Sequence, residues 1–273
     1  MNRSRSNFRM PYASSRKPGL SSVPEWETPE ELLNAGIRTR SIIGVGDERE
    51  VVRNPREDPW RRICSLHIVA QGGQTTGGTG WLVGPRTVVT AGHCVHNASV
   101  GGWVARIFVM PGRNGRAVNE TDMVEAVHFE ALKKWTDERQ IDSDIGAIHL
   151  PVELGRKFGW FACTDLDDRS LFEHEIVVAG YPLERNGETM LRSDGRIRAV
   201  SRNRLFHDVD AMVGQSGSPL FTKTSPHRVV GVHAYAETET PREVGELNSA
   251  SRITSPVYNE VLRWVSRSAQ LYG

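Results

Sequence analysis

The sequence predicts an all-β protein with one helix at its C-terminal end. Ten short runs rich in β-branched and aromatic residues recur between Gly, Pro, Asn and Asp residues, a pattern typical of strands separated by turns. No long helical segments alternate with these runs, which disfavours a parallel sheet covered by helices. A chain of 273 residues can form one large all-β domain or two small ones. We therefore expect a double sheet or barrel.

The predicted strands follow one another through most of the chain. In order, they are "ICSLHIVA", "GTGWLVG", "TVVTAGH", "ARIFVMPG", "MVEAVHF", "IGAIHL", "EIVVAGYP", "GRIRAVS", "PLFT" and "RVVGVHAYA". The helix is predicted from "TSPVYNEVLRWVSRSAQ", in which Ser255 can cap the first turn and Pro256 fits the first helical position. Four apolar side chains then fall on one helical face: Val257, Val261, Trp264 and Val265.

Residues 1–40 differ in composition from the rest of the chain. They are rich in Ser, Pro and Arg, and carry seven Lys and Arg against four Glu. A short helix is predicted at "TPEELLNAG", where Thr28 can cap and Pro29 can open the first turn. The first residues lack the apolar centre of a secretory signal. We interpret 1–40 as a separable leader, most simply a solvated tail, although its basic charge also suits an acidic surface.

Composition and charge disfavour several classes of function. The 34 Lys and Arg nearly balance the 33 Asp and Glu, so there is no overall basic field to attract nucleic acid. No apolar run approaches the length of a membrane span, roughly 20 residues. The three cysteines form no close-spaced metal pattern, and we expect neither a metal nor an organic cofactor.

Three stretches combine residue types that suit nucleophilic catalysis. "TVVTAGHCVHN" places His93 after an apolar strand, "DSDIGAIHL" places Asp144 before another, and "VGQSGSPLF" places Ser216 among glycines. A serine hydroxyl needs a base to take its proton, and histidine titrates near neutrality. A buried carboxylate can orient that histidine, and glycines let backbone amides turn toward a developing oxyanion.

Each of these residues also has an ordinary structural interpretation. A histidine after a strand is usually structural, and an aspartate before a strand is usually a turn residue. A G-x-S-G string such as that around Ser216 also arises by chance, and no helix is predicted after Ser216, as a nucleophile elbow would require. The three stretches are therefore persuasive only in combination.

In combination they resemble a known family. "TAGHC", "DIGAI" and "GQSGSP" look like the three catalytic blocks of trypsin-like serine endopeptidases. Blocks such as "GTGWLVGPRTVVTAGHCVHN", "VMPGRNG", "VVAGYP" and "SRIT" narrow the resemblance to the glutamyl endopeptidase branch, over roughly residues 41–268. The resemblance implies two antiparallel six-stranded β-barrels with a C-terminal α-helix. We assign the first barrel to residues 41–150 and the second, with the helix, to 151–273.

The resemblance also implies a role for each site residue. Ser216 would be the nucleophile, His93 the general base and acid, and Asp144 the orienting carboxylate. Asp142 is an alternative carboxylate, but Asp144 directly precedes the "IGAI" strand, as the family motif requires. The backbone amides of Gly214 and Ser216 would form the oxyanion hole.

Two residues give opposite hints about specificity. Asp210 lies six positions before Ser216, where an acid selects Lys or Arg in trypsin. His233 lies where glutamyl endopeptidases carry a histidine that receives the substrate carboxylate. We favour cleavage after Glu or Asp, because the Bacillus-type glutamyl enzymes resemble this chain at the acid as well. Ala211 replaces the usual Thr or Ser ligand of that carboxylate.

Several further expectations depend on the same resemblance. Arg252 in "SRIT" could add positive charge to the pocket, or it could be an ordinary surface arginine. The mature N-terminus would be Ser41, released from a zymogen by an activating protease that cuts after Arg40. Gln215 stands where trypsin has the aspartate that binds its new amino terminus. Secretion is the family expectation, and we expect a monomer that acts on proteins or peptides.

The cysteines depart from the family pattern. In the family, the cysteine at the position of Cys94 usually bridges to a cysteine just before the "TGW" strand. This chain has "TTGGTGW" there, which leaves Cys64 as a substitute partner.

The alternative functions are a peptidase of Lys/Arg specificity and a catalytically silent barrel that binds peptides. A nucleic-acid-binding module would rest on the basic leader alone. All residues that the chemistry needs are present, which favours the enzyme.

Overall fold

A computed structural model describes residues 20–22, 40–43, 46–237 and 246–273. The helix predicted at "TPEELLNAG", with Thr28 and Pro29, lies outside the described residues, as does most of the leader. None of the helices in the described ranges is both long and apolar enough to cross a membrane.

Strands dominate the structure. In chain order they are β1 (Leu20–Ser22), β2 (Arg40–Ser41), β3 (Glu50–Val51), β4 (Ile63–Val69), β5 (Thr75–Gly84), β6 (Thr87–Thr90), β7 (His96–Asn97), β8 (Gly102–Trp103), β9 (Arg106–Pro111), β10 (Ala117–Asn119), β11 (Val124–Ala126), β12 (His128–Ala131), β13 (Gly146–His149), β14 (Ala162–Cys163), β15 (Glu175–Gly180), β16 (Leu191–Val200), β17 (Arg204–His207), β18 (Ala211–Met212), β19 (Pro219–Thr222), β20 (Arg228–Glu237) and β21 (Leu247–Arg252). The described α-helices are α1 (Gly92–Val95), α2 (Lys133–Glu138), α3 (Leu154–Phe158), α4 (Asp168–Glu173) and α5 (Ser255–Tyr272).

The first barrel is an antiparallel sheet of seven strands in the order β11-β9-β4-β5-β6-β13-β12, which curls until it is nearly closed. β4 pairs with β5 on one side and β9 on the other, and every one of its residues is buried. A strand buried on both faces is read as a nearly continuous apolar run, which explains why "ICSLHIVA" predicts it so clearly.

The second barrel closes completely. Its strands run β20-β19-β15-β16-β17-β21, and β21 pairs back onto β20. Two short strands join this ring at its margin, β14 parallel to β20 and β3 antiparallel to β16. The predicted all-β class with two antiparallel barrels and a C-terminal helix is confirmed, although the first sheet has seven strands rather than six.

The C-terminal helix begins one residue before the predicted position. Thr254, not Ser255, is the N-cap, so the predicted cap was wrong by one residue. The physical reason is that Ser255 donates both its backbone N–H and its hydroxyl to the Asp165 carboxylate, at 2.8 and 2.7 Å. A carboxylate from another segment therefore supplies the acceptor that a capping side chain usually provides.

The buried face of α5 ties the helix to the barrels. Val261 and Trp264 are fully buried, as predicted, while Val257 and Val265 are only partly covered. Ser268 completes the face, and its hydroxyl lies 2.7 Å from both Thr87 Oγ1 and His149 Nδ1 of the first barrel. Residues of both barrels and Trp264 share one apolar cluster, so the two barrels pack as a continuous core.

Two strands of the barrel rings escaped prediction, as did the short strands outside the rings, and one predicted strand is divided. "MVEAVHF" forms β11 and β12, which lie at opposite edges of the first sheet. β17 and β21 were missed because "RLFH" is short and "LNSASR" is polar. Both lie between two partner strands, so tertiary pairing rather than local preference makes them strands.

Candidate active site

Two neighbouring strands bring His93 and Asp144 together. His93 lies in α1, directly after β6, and Asp144 lies two residues before β13. β6 and β13 are antiparallel partners, with Gly146 opposite Thr90. The turn after one strand and the turn before the other therefore meet at the same edge of the first barrel.

Two short contacts join the Asp144 carboxylate to His93. Asp144 Oδ2 lies 2.6 Å from His93 Nδ1, and Asp144 Oδ1 accepts the backbone N–H of His93 at 2.7 Å. The Asp144 side chain is fully buried, and that of His93 is 15% exposed. Asp142, the alternative carboxylate, is 40% exposed and lies 3.6 Å from Arg204 Nε.

Burial and charge act in opposite directions on His93. Burial lowers the pKa of its imidazole, but the adjacent Asp144 carboxylate and Cys94 together outweigh that penalty and hold the pKa well above the ordinary 6.5. A histidine in this environment readily accepts a proton and stays protonated at a pH where a free imidazole would not.

Two aromatic residues that sequence reasoning missed complete this region. The Tyr235 hydroxyl donates to Asp144 Oδ2 at 2.6 Å, and its ring centroid lies 5.9 Å from that of His93. The Trp135 ring lies edge-on to His93 at 6.3 Å. Both aromatics and His93 line an open cavity of about 220 Å³. Neither residue lies in a conspicuous motif, because their relation to His93 arises only on folding.

Ser216 lies in a turn that depends on two glycines. Gly214 and Gly217 have φ angles of 95° and 87°, in the left-handed region that disfavours side chains. A Cβ atom on Gly217 would lie 2.1 Å from the carbonyl oxygen of Thr79, and one on Gly214 would lie 2.6 Å from that of Tyr181. The glycines that the sequence analysis singled out are therefore required by both backbone conformation and space.

The serine turn packs against the turn that carries His93. The Ser216 carbonyl accepts the Thr79 backbone N–H at 2.9 Å and lies 3.9 Å from Cys94 Sγ. Since Cys94 directly follows His93 in α1, Ser216 and His93 lie on adjoining turns of the two barrels.

The backbone amides around Ser216 fall into two groups. Those of Gln215, Gly217 and Ser218 donate to carbonyl groups at 2.7–2.9 Å. In the described part of the chain no acceptor bonds to the amides of Gly214 and Ser216. These are the two amides predicted to form the oxyanion hole.

His233 lies one strand away from the serine turn and contacts a second histidine. Its backbone carbonyl accepts the Gly217 N–H at 2.7 Å. Its Nδ1 lies 3.4 Å from His207 Nε2, in a strand that was not predicted. Burial, reinforced by nearby His93, lowers the pKa of His233 to about 4, and burial next to His233 lowers that of His207 well below 6.5.

Asp210 contacts the segment that follows Ser41. One of its carboxylate oxygens accepts the backbone N–H of Ile43 at 2.7 Å, and the other accepts that of Glu48 at 2.8 Å. The residue after it, Ala211, pairs with Ser41 between β18 and β2. Asp210 thus holds the chain near the predicted processing site, and both its oxygens already have donors.

Gln215 and Arg252 also have partners of their own. Gln215 Oε1 accepts the backbone N–H of Met212 at 2.9 Å and is 3.3 Å from Arg49 Nη1. The Arg252 guanidinium donates to Asp168 Oδ1 and to the Leu166 carbonyl, each at 2.7 Å. The charge of Arg252 is therefore already paired, while its predicted role in the pocket stays a prediction.

The cysteines form no disulfide. Cys64, Cys94 and Cys163 are all free and buried, so Cys64 does not substitute for the missing partner of Cys94. A Cβ atom on Gly78 would lie 3.0 Å from Cys94 Sγ. Gly78 therefore occupies the place from which a bridging cysteine would reach Cys94.

Comparison with known proteins identifies the class to which this fold and site belong. Residues 78–232 match the family described as "Trypsin-like peptidase domain", and the chain belongs to that family. It is homologous to a glutamyl endopeptidase of Bacillus licheniformis, being 31% identical over 253 residues that span 92% of this chain and 77% of that protein. The chain is therefore a serine endopeptidase of the trypsin-like family.

A second relative carries a different name. The "Extracellular metalloprotease" of Bacillus subtilis (strain 168) is 30% identical over 260 residues, spanning 94% of this chain and 80% of that protein. Within the described ranges, no group of three or more His, Cys, Asp or Glu side chains could hold a metal ion.

Solved structures agree with the observed fold. The one described as "Structure of Glu endopeptidase in complex with MPD" superposes with a TM-score of 0.71 at 22% identity, covering 82% of this chain and 99% of that chain. Protease Anisep from Arthrobacter nicotinovorans gives a TM-score of 0.62 at 17% identity, covering 78% and 98%.

The position of Gly78 leads to a testable prediction. Gly78→Cys should form a disulfide with Cys94, because its Cβ atom would lie beside Cys94 Sγ. Closing a loop of about 15 residues should stabilise the oxidised protein by about 3 kcal/mol. The measurements are the thiol count and the free energy of unfolding with and without reductant. Gly78→Ala is the matched control, and equal stability of the two redox forms of Gly78→Cys would contradict the prediction.

Proposed function

We propose that the chain hydrolyses peptide bonds through Ser216, His93 and Asp144. The observation that carries the proposal is the double contact between His93 and the buried Asp144 carboxylate, beside a serine turn built on Gly214 and Gly217. Such a pair provides the base that a serine hydroxyl needs. The family to which the chain belongs supports the same chemistry.

In the proposed reaction Ser216 Oγ attacks the carbonyl carbon of the scissile bond while His93 Nε2 takes the hydroxyl proton. The resulting imidazolium is stabilised by Asp144 and then gives its proton to the leaving amine. The amides of Gly214 and Ser216 donate to the oxyanion, each contributing roughly 3–4 kcal/mol in the transition state. Water then hydrolyses the acyl-enzyme with His93 again acting as base.

Replacement of the triad residues tests this mechanism. Ser216→Ala should abolish cleavage of chromogenic peptides, and Asp144→Asn should lower kcat by about 10⁴-fold because His93 loses its orienting partner. In the wild-type protein kcat/KM should rise with pH with a midpoint above 6.5, since the imidazolium must lose a proton before it can act as base.

A conservative change at the alternative carboxylate is the matched control. Asp142→Asn should retain nearly full activity, because Asp142 is exposed and pairs with Arg204 instead. Comparable activity of Ser216→Ala and the wild-type protein would contradict the mechanism. Absence of cleavage by well-folded wild-type protein would favour the silent peptide-binding barrel.

We further propose that the substrate residue before the cleaved bond is Glu or Asp. The relatives named glutamyl endopeptidases support this, as does the buried pair formed by His233 and His207. If His207 Nε2–H donates to His233 Nδ1, the other nitrogen of His233 carries a hydrogen for the substrate carboxylate. That carboxylate would in turn favour protonation of His233. Asp210 supports the alternative Lys/Arg specificity less well, since Ile43 and Glu48 already occupy its oxygens.

His233→Gln tests this specificity. The substitution should lower kcat/KM for a peptide with Glu before the cut by about 10- to 100-fold, as expected for loss of a hydrogen bond to a charged group. The matched peptide with Gln should be affected much less, so that the Glu/Gln ratio falls. The exposed His128 provides the control His128→Gln, and faster wild-type cleavage after Lys than after Glu would refute the assignment.

We propose finally that cleavage after Arg40 activates the enzyme. The chain on both sides of this bond pairs with Ala211 and Met212, next to the segment that leads to Ser216. A new α-amino group on Ser41, with an ordinary pKa of about 7.7–8.0, would add positive charge near the proposed pocket for Glu. The Gln215 side chain contacts Arg49 and not an amino terminus. This agrees with the proposal that the new α-amino group of Ser41 would interact with the substrate and not with Gln215.

Limited digestion with an arginine-specific protease tests activation. Activity toward a Glu peptide should rise as N-terminal sequencing detects a new start at Ser41, and Arg40→Gln should block both changes. Arg38→Gln is the control, because it removes a neighbouring arginine but leaves the proposed bond cleavable. Full activity of the uncut Arg40→Gln protein would rule out this mode of activation.

A further inference from the structure

The hydroxyl of Tyr235 is the one donor to Asp144 from the second barrel among the described residues. Asp144 Oδ2 receives this hydroxyl and His93 Nδ1, both at 2.6 Å, while Oδ1 receives the His93 backbone N–H at 2.7 Å. Tyr235 lies in β20, whereas Asp144 precedes β13 of the first barrel. The hydrogen bond therefore crosses from one barrel to the other.

Tyr235 can act only as a donor in this contact. Burial and the adjacent Asp144 carboxylate both raise the pKa of the phenol far above its ordinary value, so the hydroxyl keeps its proton. An ionised carboxylate accepts hydrogen bonds but donates none. The contact is thus a charge-assisted O–H···O⁻ hydrogen bond, a class that is stronger than a neutral one.

The backbone aims the ring at Asp144. The pairing of β20 with β21 shifts register between His233, opposite Ala250, and Tyr235, opposite Ser249. Such an irregularity re-aims the side chains around it. The Arg204 guanidinium lies 5.9 Å from the centroid of the Tyr235 ring. The strand and the Arg204 guanidinium therefore fix the Tyr235 ring in the position from which its hydroxyl reaches Asp144.

We propose that Tyr235 is a positioning residue that acts on His93 through Asp144, an inference that rests on the proposed function. With two donors on Oδ2 and one on Oδ1, the carboxylate cannot rotate without breaking a hydrogen bond, and so it holds the imidazole in one orientation. The hydrogen bond from Tyr235 also weakens the electrostatic attraction between the Asp144 carboxylate and the His93 imidazolium. Because Asp144 and His93 belong to the first barrel and Tyr235 to the second, the hydrogen bond from Tyr235 to Asp144 Oδ2 sets the His93 orientation relative to the serine turn.

Tyr235→Phe is the direct test, because it removes the hydroxyl and keeps the ring. We expect kcat on a Glu peptide to fall about 10- to 100-fold, the range for loss of a hydrogen bond to a charged group, with KM nearly unchanged. The acid limb of the pH profile should move to higher pH, since more of the Asp144 charge then acts on the His93 imidazolium. Among the described residues, the other titratable or charged groups around the pair include His233, Cys94, His96, Arg139 and Arg204.

Two further measurements separate positioning from a merely structural role. The effect of Tyr235→Phe should largely disappear in the Asp144→Asn background, because Tyr235 acts through that carboxylate. In proton NMR spectra, the signal of the His93 Nδ1–H should shift in Tyr235→Phe but not in Tyr272→Phe. Tyr272 is the matched control, as its hydroxyl also contacts a histidine, His128, at 2.6 Å.

The outcomes distinguish this inference from the proposed function. Wild-type protein without Ser216-dependent cleavage would refute the proposed function, while the NMR comparison would still test the hydrogen bond. A Tyr235→Phe enzyme with unchanged kcat, or one whose lower kcat comes without a change in pH profile and NMR signal, would overturn the positioning role. Equal effects of Tyr235→Phe in the wild-type and Asp144→Asn backgrounds would also overturn it.

Discussion

The region between the barrels depends on a buried charge that must be paired. Asp144 is fully enclosed, and an isolated carboxylate in such a place would cost several kcal/mol. Three donors offset that cost: the backbone and ring of His93, and the hydroxyl of Tyr235. Two of them require β6 and β13 to pair in their observed register, and the third requires the second barrel to pack against the first. The carboxylate therefore couples the local geometry of the site to the packing of both barrels.

The geometry of the serine turn also depends on the packing of the two barrels. Gly214 and Gly217 let the chain take backbone angles that place it against Thr79 and Tyr181, with no room for a side chain. The first barrel thus forms one wall of the turn that the second barrel contributes.

Charge is distributed differently around the proposed specificity pocket. Asp210 is directed to the backbone amides of Ile43 and Glu48, while buried His233 and His207 are uncharged at neutral pH. Neither imidazole therefore brings a fixed charge to the proposed pocket, and an incoming carboxylate would encounter imidazoles able to take up a proton. This arrangement fits the proposed preference for acidic residues, and the segment that begins at Ser41 lies against Asp210 and Ala211.

The sequence by itself determined the strand-rich fold class, the C-terminal helix and the three stretches around His93, Asp144 and Ser216. These are local signals: apolar runs between turn residues, and glycines that a tight backbone turn requires. Only the tertiary structure decided that β17 and β21 are strands, that Thr254 caps the helix, and that Tyr235 and His207 join the site. Their contacts join residues far apart in the chain, and such pairings depend on how the barrels close and pack rather than on the preference of any neighbouring residue.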